Sequence, residues 1–167
     1  LYSVKKGPIG STMLSTMDFQ AKLRKNEFEP IVYYESPESM ITSLKNNQVN
    51  AIMIWEPFIS LLKNEYNVDM NEKEYCCGII SFKNSLSKKY FDFINHFKKT
   101  TEDLANGKRW DEAAKYMSKL LNMDENIIKE SFKSYIYEWK IEVADIERII
   151  KNFGIETSSV KIKNFIY

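Results

Sequence analysis

Apolar positions follow two rhythms along this chain. In the first half, short β-rich or continuous apolar runs alternate with helical stripes, and in the second the helical period takes over. Tyr2–Lys6 predicts a short strand. The turn Gly7-Pro8-Ile9-Gly10-Ser11-Thr12 leads into a helix, with Ser11 or Thr12 as N-cap and Met13, Leu14, Met17, Ala21 and Leu23 as its apolar stripe. Phe28–Tyr34 is rich in β-formers, and Pro30 places it at a strand start or a sheet edge. Ser36-Pro37 opens a second helix, with Pro at its first position and Glu38 in its first turn. Met40, Ile41 and Leu44 form its stripe, and Asn46-Asn47 ends it. Val49–Trp55 is a continuous apolar run of the kind buried on both faces of a parallel sheet. Glu56-Pro57 breaks that run and opens a short helix over Phe58–Asn64.

Three β/α units in succession predict an α/β fold with a parallel-type sheet, filling a first domain over 1–74. The second domain, 75–167, reads differently. It starts with one more strand, Tyr75–Phe82, and continues as a helical carboxyl-terminal block. Four helices are expected: Ser87–Asn106 closed by Gly107, Trp110–Asn122, Glu125–Tyr137 capped by Asp124, and Val143–Phe153 closed by Gly154. Ser159–Tyr167 alternates apolar and polar residues, as a strand or an extended docking segment would.

Composition narrows the function classes. At 167 residues, with 44% hydrophobic residues, the chain suits one compact domain or a small domain with an appendage. Its 24 Lys+Arg offset 23 Asp+Glu, and the balance is even along the chain, so no basic field is available for nucleic acid. No apolar run reaches the roughly 18 residues of a membrane span. Cys76 and Cys77 are adjacent, which disfavours a disulfide between them. The start at Leu1 rather than Met points to a processed or truncated N-terminus. The compartment is left open: extracytoplasmic if an upstream signal peptide was removed, otherwise cytoplasmic.

Candidate chemistry is sparse. The single histidine, His96, lies in an aromatic-rich helix with no partner for a zinc set or a nucleophilic dyad, and reads as a surface or packing residue. The carboxylate pairs Glu102/Asp103, Asp111/Glu112 and Asp124/Glu125 are placed at helix starts, where they complement the macrodipole. No Walker loop or Rossmann glycine triplet is present, so no cofactor and no metal are expected. Gly10-Ser11-Thr12 has the chemistry of an anion or polar-ligand cradle at a helix start, or of an ordinary helix cap. Trp55-Glu56-Pro57-Phe58 follows a buried strand, at the sheet end where open α/β folds bind ligands. There Trp55 offers a stacking face and Glu56 an acceptor for a cationic or hydroxylated ligand; alternatively Trp55 is core and Glu56 caps the next helix.

In order and spacing, the segments IGSTM (9–13), SPESMITSLKNNQVNAIMIWEPF (36–58) and CCGIISFKNSL (76–86) resemble solute-binding proteins of ABC importers. The group meant is the one for nitrate, sulfonates, taurine and thiamine-pyrimidine precursors. The resemblance is carried by Pro37, Met40, Leu44, Val49 and Ala51, followed by Trp55-Glu56-Pro57-Phe58. It implies a periplasmic-binding-protein-like second lobe, a hinge strand at 75–82, and non-catalytic binding of a small polar or anionic solute. It implies Gly10, Ser11, Thr12, Trp55 and Glu56 as the ligand wall, with Tyr34 and Ser36 as additions, and an ABC permease as a partner of the full-length protein. Family members carry a first lobe before the Gly-Ser-Thr turn, whereas this chain starts nine residues before Gly10. That departure points to a fragment of a longer chain, or to a homodimer covering the carboxyl-terminal helices. Two other readings stand beside it. One is a single-lobe ligand-sensing or structural protein that completes its cleft with a partner. The other is an enzyme resembling thiamine-pyrimidine synthases, for which Cys76-Cys77-Gly78 is a partial match.

Overall fold

The computed structural model describes residues 6–69, 88–139 and 142–152. The fold is mixed α/β and divides into two compact units. The first comprises Leu1–Gly78 with Asn126–Ser131, and the second Ile79–Glu125 with Phe132–Tyr167. The strand expected at Tyr75–Phe82, Cys76-Cys77, and the tail Ser159–Tyr167 lie outside the described residues, as do residues 2–5 of the strand expected at Tyr2–Lys6. Lys6 itself belongs to no strand.

In the first unit, β1 (Ile9–Ser11), α1 (Thr16–Leu23), β2 (Ile31–Tyr33), α2 (Pro37–Lys45), β3 (Ala51–Ile52) and α3 (Phe58–Leu62) follow in the expected alternation. The three strands form a parallel sheet in the order β2-β1-β3, with Ile9 opposite both Ile31 and Ala51. The strands are shorter than the apolar runs suggest. Pro30 has no N–H and joins the ladder only through its carbonyl, which accepts from the Ile9 amide at 3.0 Å, so β2 starts after it. Of Val49–Trp55, only Ala51–Ile52 pairs as strand, and residues 51–55 are half-buried rather than enclosed on both faces. Single ladder bonds extend past the strand ends, from Tyr34 N–H to the Ser11 carbonyl at 2.9 Å and from Met53 N–H to the Gly10 carbonyl at 2.8 Å.

Helix α2 begins as its sequence dictates. Ser36 is the N-cap, its hydroxyl accepts from the Ser39 amide at 3.1 Å, and Pro37 is the first helical residue. Helix α1 corrects the expectation. Its N-cap is Ser15, not Ser11 or Thr12, and the Ser15 hydroxyl accepts from the Asp18 amide at 3.1 Å. Leu14 has a φ of 56°, a left-handed conformation that cannot be part of an α-helix. Met13 and Leu14 are therefore loop residues, and both are exposed, as is Leu23; the residues that α1 buries are Asp18 and Ala21.

Alternation along β2 shows that α1 and α2 cover opposite faces of the sheet. Tyr33 reaches Asp18 of α1, while the next residue, Tyr34, is hydrogen-bonded to Ser43 of α2. Gly10 faces α2, where a Cβ would come to 3.0 Å from both Met40 Cγ and Tyr34 Cε2, so any larger residue would push these side chains back by a few tenths of an ångström. Ile9, Ala21, Met40, Val49, Phe58 and Leu62 are the buried apolar side chains of this region. The segment Asn126–Ser131 adds Ile128, which is fully buried, and Glu130, whose carboxylate pairs with Lys63 at 2.9 Å.

The second unit contains α4 (Lys88–Ala105), α5 (Trp110–Leu121) and α7 (Val143–Asn152), close to their expected bounds. Gly107, with a φ of 72°, follows α4, and left-handed Asn122 ends α5. Helix α6 (Glu125–Phe132) stops five residues before Tyr137, the expected end. Trp110 organises the turn between α4 and α5: its indole N–H donates to the Leu104 carbonyl at 2.8 Å and its ring meets Phe132 at 5.8 Å. Lys98 lies over the Trp139 ring at 4.7 Å, and burial pushes the Tyr137 hydroxyl up to about 12. His96 is exposed on α4. Glu102 and Asp103 lie in the last turn of α4, not at a helix start, and are held by Lys98 and Lys108. Asp111 and Glu112 do occupy a first turn, and Glu112 takes two hydrogen bonds from the Arg109 guanidinium at 2.9 and 2.6 Å. Among the described residues, no helix is long and apolar enough to cross a membrane.

Candidate functional site

Because β1, β2 and β3 are parallel, their carboxyl ends share one edge of the sheet. The loops that leave it are Thr12–Ser15, Tyr34–Ser36 and Met53–Pro57. Strand β1 has β2 on one side and β3 on the other, so the chain order reverses beside it. Open α/β sheets bind ligands outside the carboxyl ends of the strands at such a reversal, because adjacent loops diverge there. Ser11, Thr12, Tyr34, Ser36, Trp55 and Glu56 all belong to this edge; Gly10 lies one residue inside it.

Two of these residues carry an unmet requirement. Ser11 is 0% exposed, and among the described residues neither its Oγ nor the Thr12 Oγ1 has a hydrogen-bond partner. A buried hydroxyl without a partner costs about 1–3 kcal/mol, so proteins seldom keep one. Ser11 also does not cap α1; Ser15 does, donating its own proton to the Thr12 carbonyl at 2.6 Å. Helix capping therefore does not account for these two hydroxyls.

The other expected residues divide by role. Gly10 serves close packing of α2 on the sheet, and Ser36 serves as the cap of α2. The Tyr34 hydroxyl is engaged by Ser43. Trp55 is half-buried, with its ring edge-on to Phe58 at 6.0 Å. Glu56 is buried, and its Oε2 accepts from the Ser60 amide at 3.0 Å, so it does cap the start of α3.

Asp18 was not anticipated. Its side chain is buried on the α1 face, beside the end of β1. Asp18 Oδ1 accepts from the Tyr33 hydroxyl at 2.9 Å, and Oδ2 accepts from Lys22 Nζ at 2.9 Å and from the Leu14 amide at 3.0 Å. Burial alone would raise the Asp18 pKa, but Lys22, Tyr33 and the Leu14 N–H together outweigh it and hold the carboxyl below its ordinary value. The same contact raises both Lys22 and Tyr33. In the sequence, the spacing Ser15-x-x-Asp18 is a capping-box signature that marks both the true helix start and this carboxylate. Tyr33 and Ser11 are opposite one another in the β1–β2 register, so both face α1.

Among the described residues, no group of three or more His, Cys, Asp or Glu side chains is placed to hold a metal ion. The arrangement is suited to binding through hydroxyls, an aromatic face and carboxylates, at the edge where the strand order reverses. Comparisons of the chain with protein-family models, with curated proteins and with solved structures give no match.

Proposed function

We propose that this chain is a non-catalytic binding domain that holds a small polar solute at the carboxyl edge of its sheet, in the manner of the second lobe of an ABC-importer solute-binding protein. The observation that carries the reading is the pair of partnerless hydroxyls, Ser11 Oγ and Thr12 Oγ1, beside the strand-order reversal. A solute that hydrogen-bonds to them removes the cost of burying them. Trp55, half-buried on the neighbouring loop, supplies a flat apolar surface for the body of the solute.

The test is calorimetric titration with a panel of small cationic, neutral and anionic solutes. Binding by the wild type is expected to weaken about tenfold in Ser11→Ala, the loss of one hydrogen bond to a charged or polar group. Trp55→Ala is expected to weaken it as well, with both variants keeping the wild-type circular dichroism. No binding by any member of the panel would overturn the proposal.

A further inference from the structure

Ser11 Oγ and Thr12 Oγ1 are both buried, so a solute meets them only after part of their cover moves. Three elements surround Ser11 on the α1 face of the sheet. Tyr33 is its neighbour on β2, α1 packs against β1, and the loop Thr12–Ser15 joins the end of β1 to α1. The Asp18 carboxylate, on α1, ties the other two to itself. Its Oδ1 accepts from the Tyr33 hydroxyl at 2.9 Å, and its Oδ2 accepts from the Leu14 amide at 3.0 Å.

These elements are not held equally. The sheet ladder fixes β1 and β2, with the Tyr34 amide still donating to the Ser11 carbonyl past their ends, and α1 is fixed by its buried Ala21. The apolar side chains of the loop give it no such anchor, since Met13 is 59% and Leu14 90% exposed. Leu14 also has a φ of 56°, a left-handed conformation that crowds its Cβ. Polar bonds keep it there: the Leu14 amide on Asp18 Oδ2, and the Ser15 hydroxyl on the Thr12 carbonyl at 2.6 Å. A segment with few buried apolar contacts is one that opens locally while the rest of the fold persists.

We infer that the loop Thr12–Ser15 is a flap over the Ser11 hydroxyl and that Asp18 is the latch that holds it shut. As the entrance for a solute, the flap rests on the binding function proposed above. Opening releases the Leu14 amide from Asp18 Oδ2 to water, lets Leu14 leave the left-handed region, and uncovers Ser11 Oγ. Asp18 keeps the Tyr33 hydroxyl and Lys22 Nζ, at 2.9 Å each, so opening leaves no buried charge without a partner.

A thiol at the sealed position reads the flap without any solute. In the full chain carrying Ser11→Cys, alkylation by iodoacetamide is followed by mass spectrometry at the peptide that contains position 11, apart from Cys76 and Cys77. Its rate is expected to stay level in urea below the unfolding transition, because a local opening exposes little surface. Adding Asp18→Asn, which replaces the charged acceptor of the Leu14 amide, is expected to speed alkylation about tenfold, again with no dependence on low urea. Adding Leu14→Asn instead changes an exposed residue to one at ease in left-handed backbone, and is expected to slow alkylation about threefold. Alkylation that climbs with urea as steeply as global unfolding overturns the inference. So does an Asp18→Asn rate no faster than the parent's, or a Leu14→Asn rate no slower. If the solute panel binds all the same, the binding function stands and the solute enters by another route. A panel in which nothing binds overturns the binding function, and the flap as its entrance, whatever the thiol reports.

Discussion

At the scale of single residues, Ser11 and Asp18 show opposite ways of burying a polar group. Asp18 is surrounded by three donors, and Ser11 by none. Removing the Ser11 hydroxyl should therefore cost the empty protein nothing. Ser11→Ala is expected to leave the urea midpoint unchanged, or to raise stability by up to about 2 kcal/mol, since an unsatisfied buried group is lost. A fall of about 1 kcal/mol or more would show that the hydroxyl has an internal partner. The role of Gly10, in β1 two positions before Thr12, was legible only in part: the sequence shows a glycine beside hydroxyls, as a ligand cradle would have. Its actual constraint is the approach of Met40 and Tyr34, which lie thirty and twenty-four positions away. No local pattern carries that information.

Helix starts show what local sequence can and cannot specify. Ser36-Pro37 is unambiguous because proline at the first position fixes both the boundary and the cap, and α2 begins there. At α1 the chain offers hydroxyls at Ser11, Thr12, Ser15 and Thr16, and the apolar Met13 and Leu14 favour the earlier start. The later start wins because Asp18 can then bind the Leu14 amide, Tyr33 and Lys22 together, and Tyr33 arrives from another strand. This network makes α1 sensitive to acid. Burial opposes the Asp18 charge, but its three donors prevail, so the folded pKa lies below the ordinary 3.8. The unfolded chain then takes up the proton first as pH falls. The stabilisation is complete above the ordinary value and is lost as pH drops through the lowered one. Asp18→Asn is expected to melt at a lower temperature near neutral pH and to have a flatter acid limb in a plot of Tm against pH. An acid limb as steep as that of the wild type would exclude Asp18 as its source.

For the whole molecule, the alternation of β and α elements made the parallel α/β character legible, and hydrophobic period with Gly107 and Asn122 made α4 and α5 legible. The contribution of Asn126–Ser131 to the sheet-bearing unit was not, because α6 has the same amphipathic signature as its neighbours in sequence. Ile128 is completely buried in that segment. Ile128→Ala is expected to destabilise the protein by about 2–5 kcal/mol, as a cavity in a close-packed core does. Hydrogen exchange at the Ile9 and Met53 amides, which are ladder donors in the sheet, should accelerate in this variant. Exchange at those amides equal to that of the wild type would contradict the place given to Ile128.

That distant segment also has a consequence for how the protein is made. Helix α3 ends at Leu62, and the ribosome must add the chain as far as Ile128 before that side chain can join the core. At about 5–20 residues per second, that stretch takes roughly 3–13 seconds, through which the nascent sheet is without Ile128. Through that interval the newborn chain presents an unfinished core to the cell, and it is then that a chaperone has something to hold.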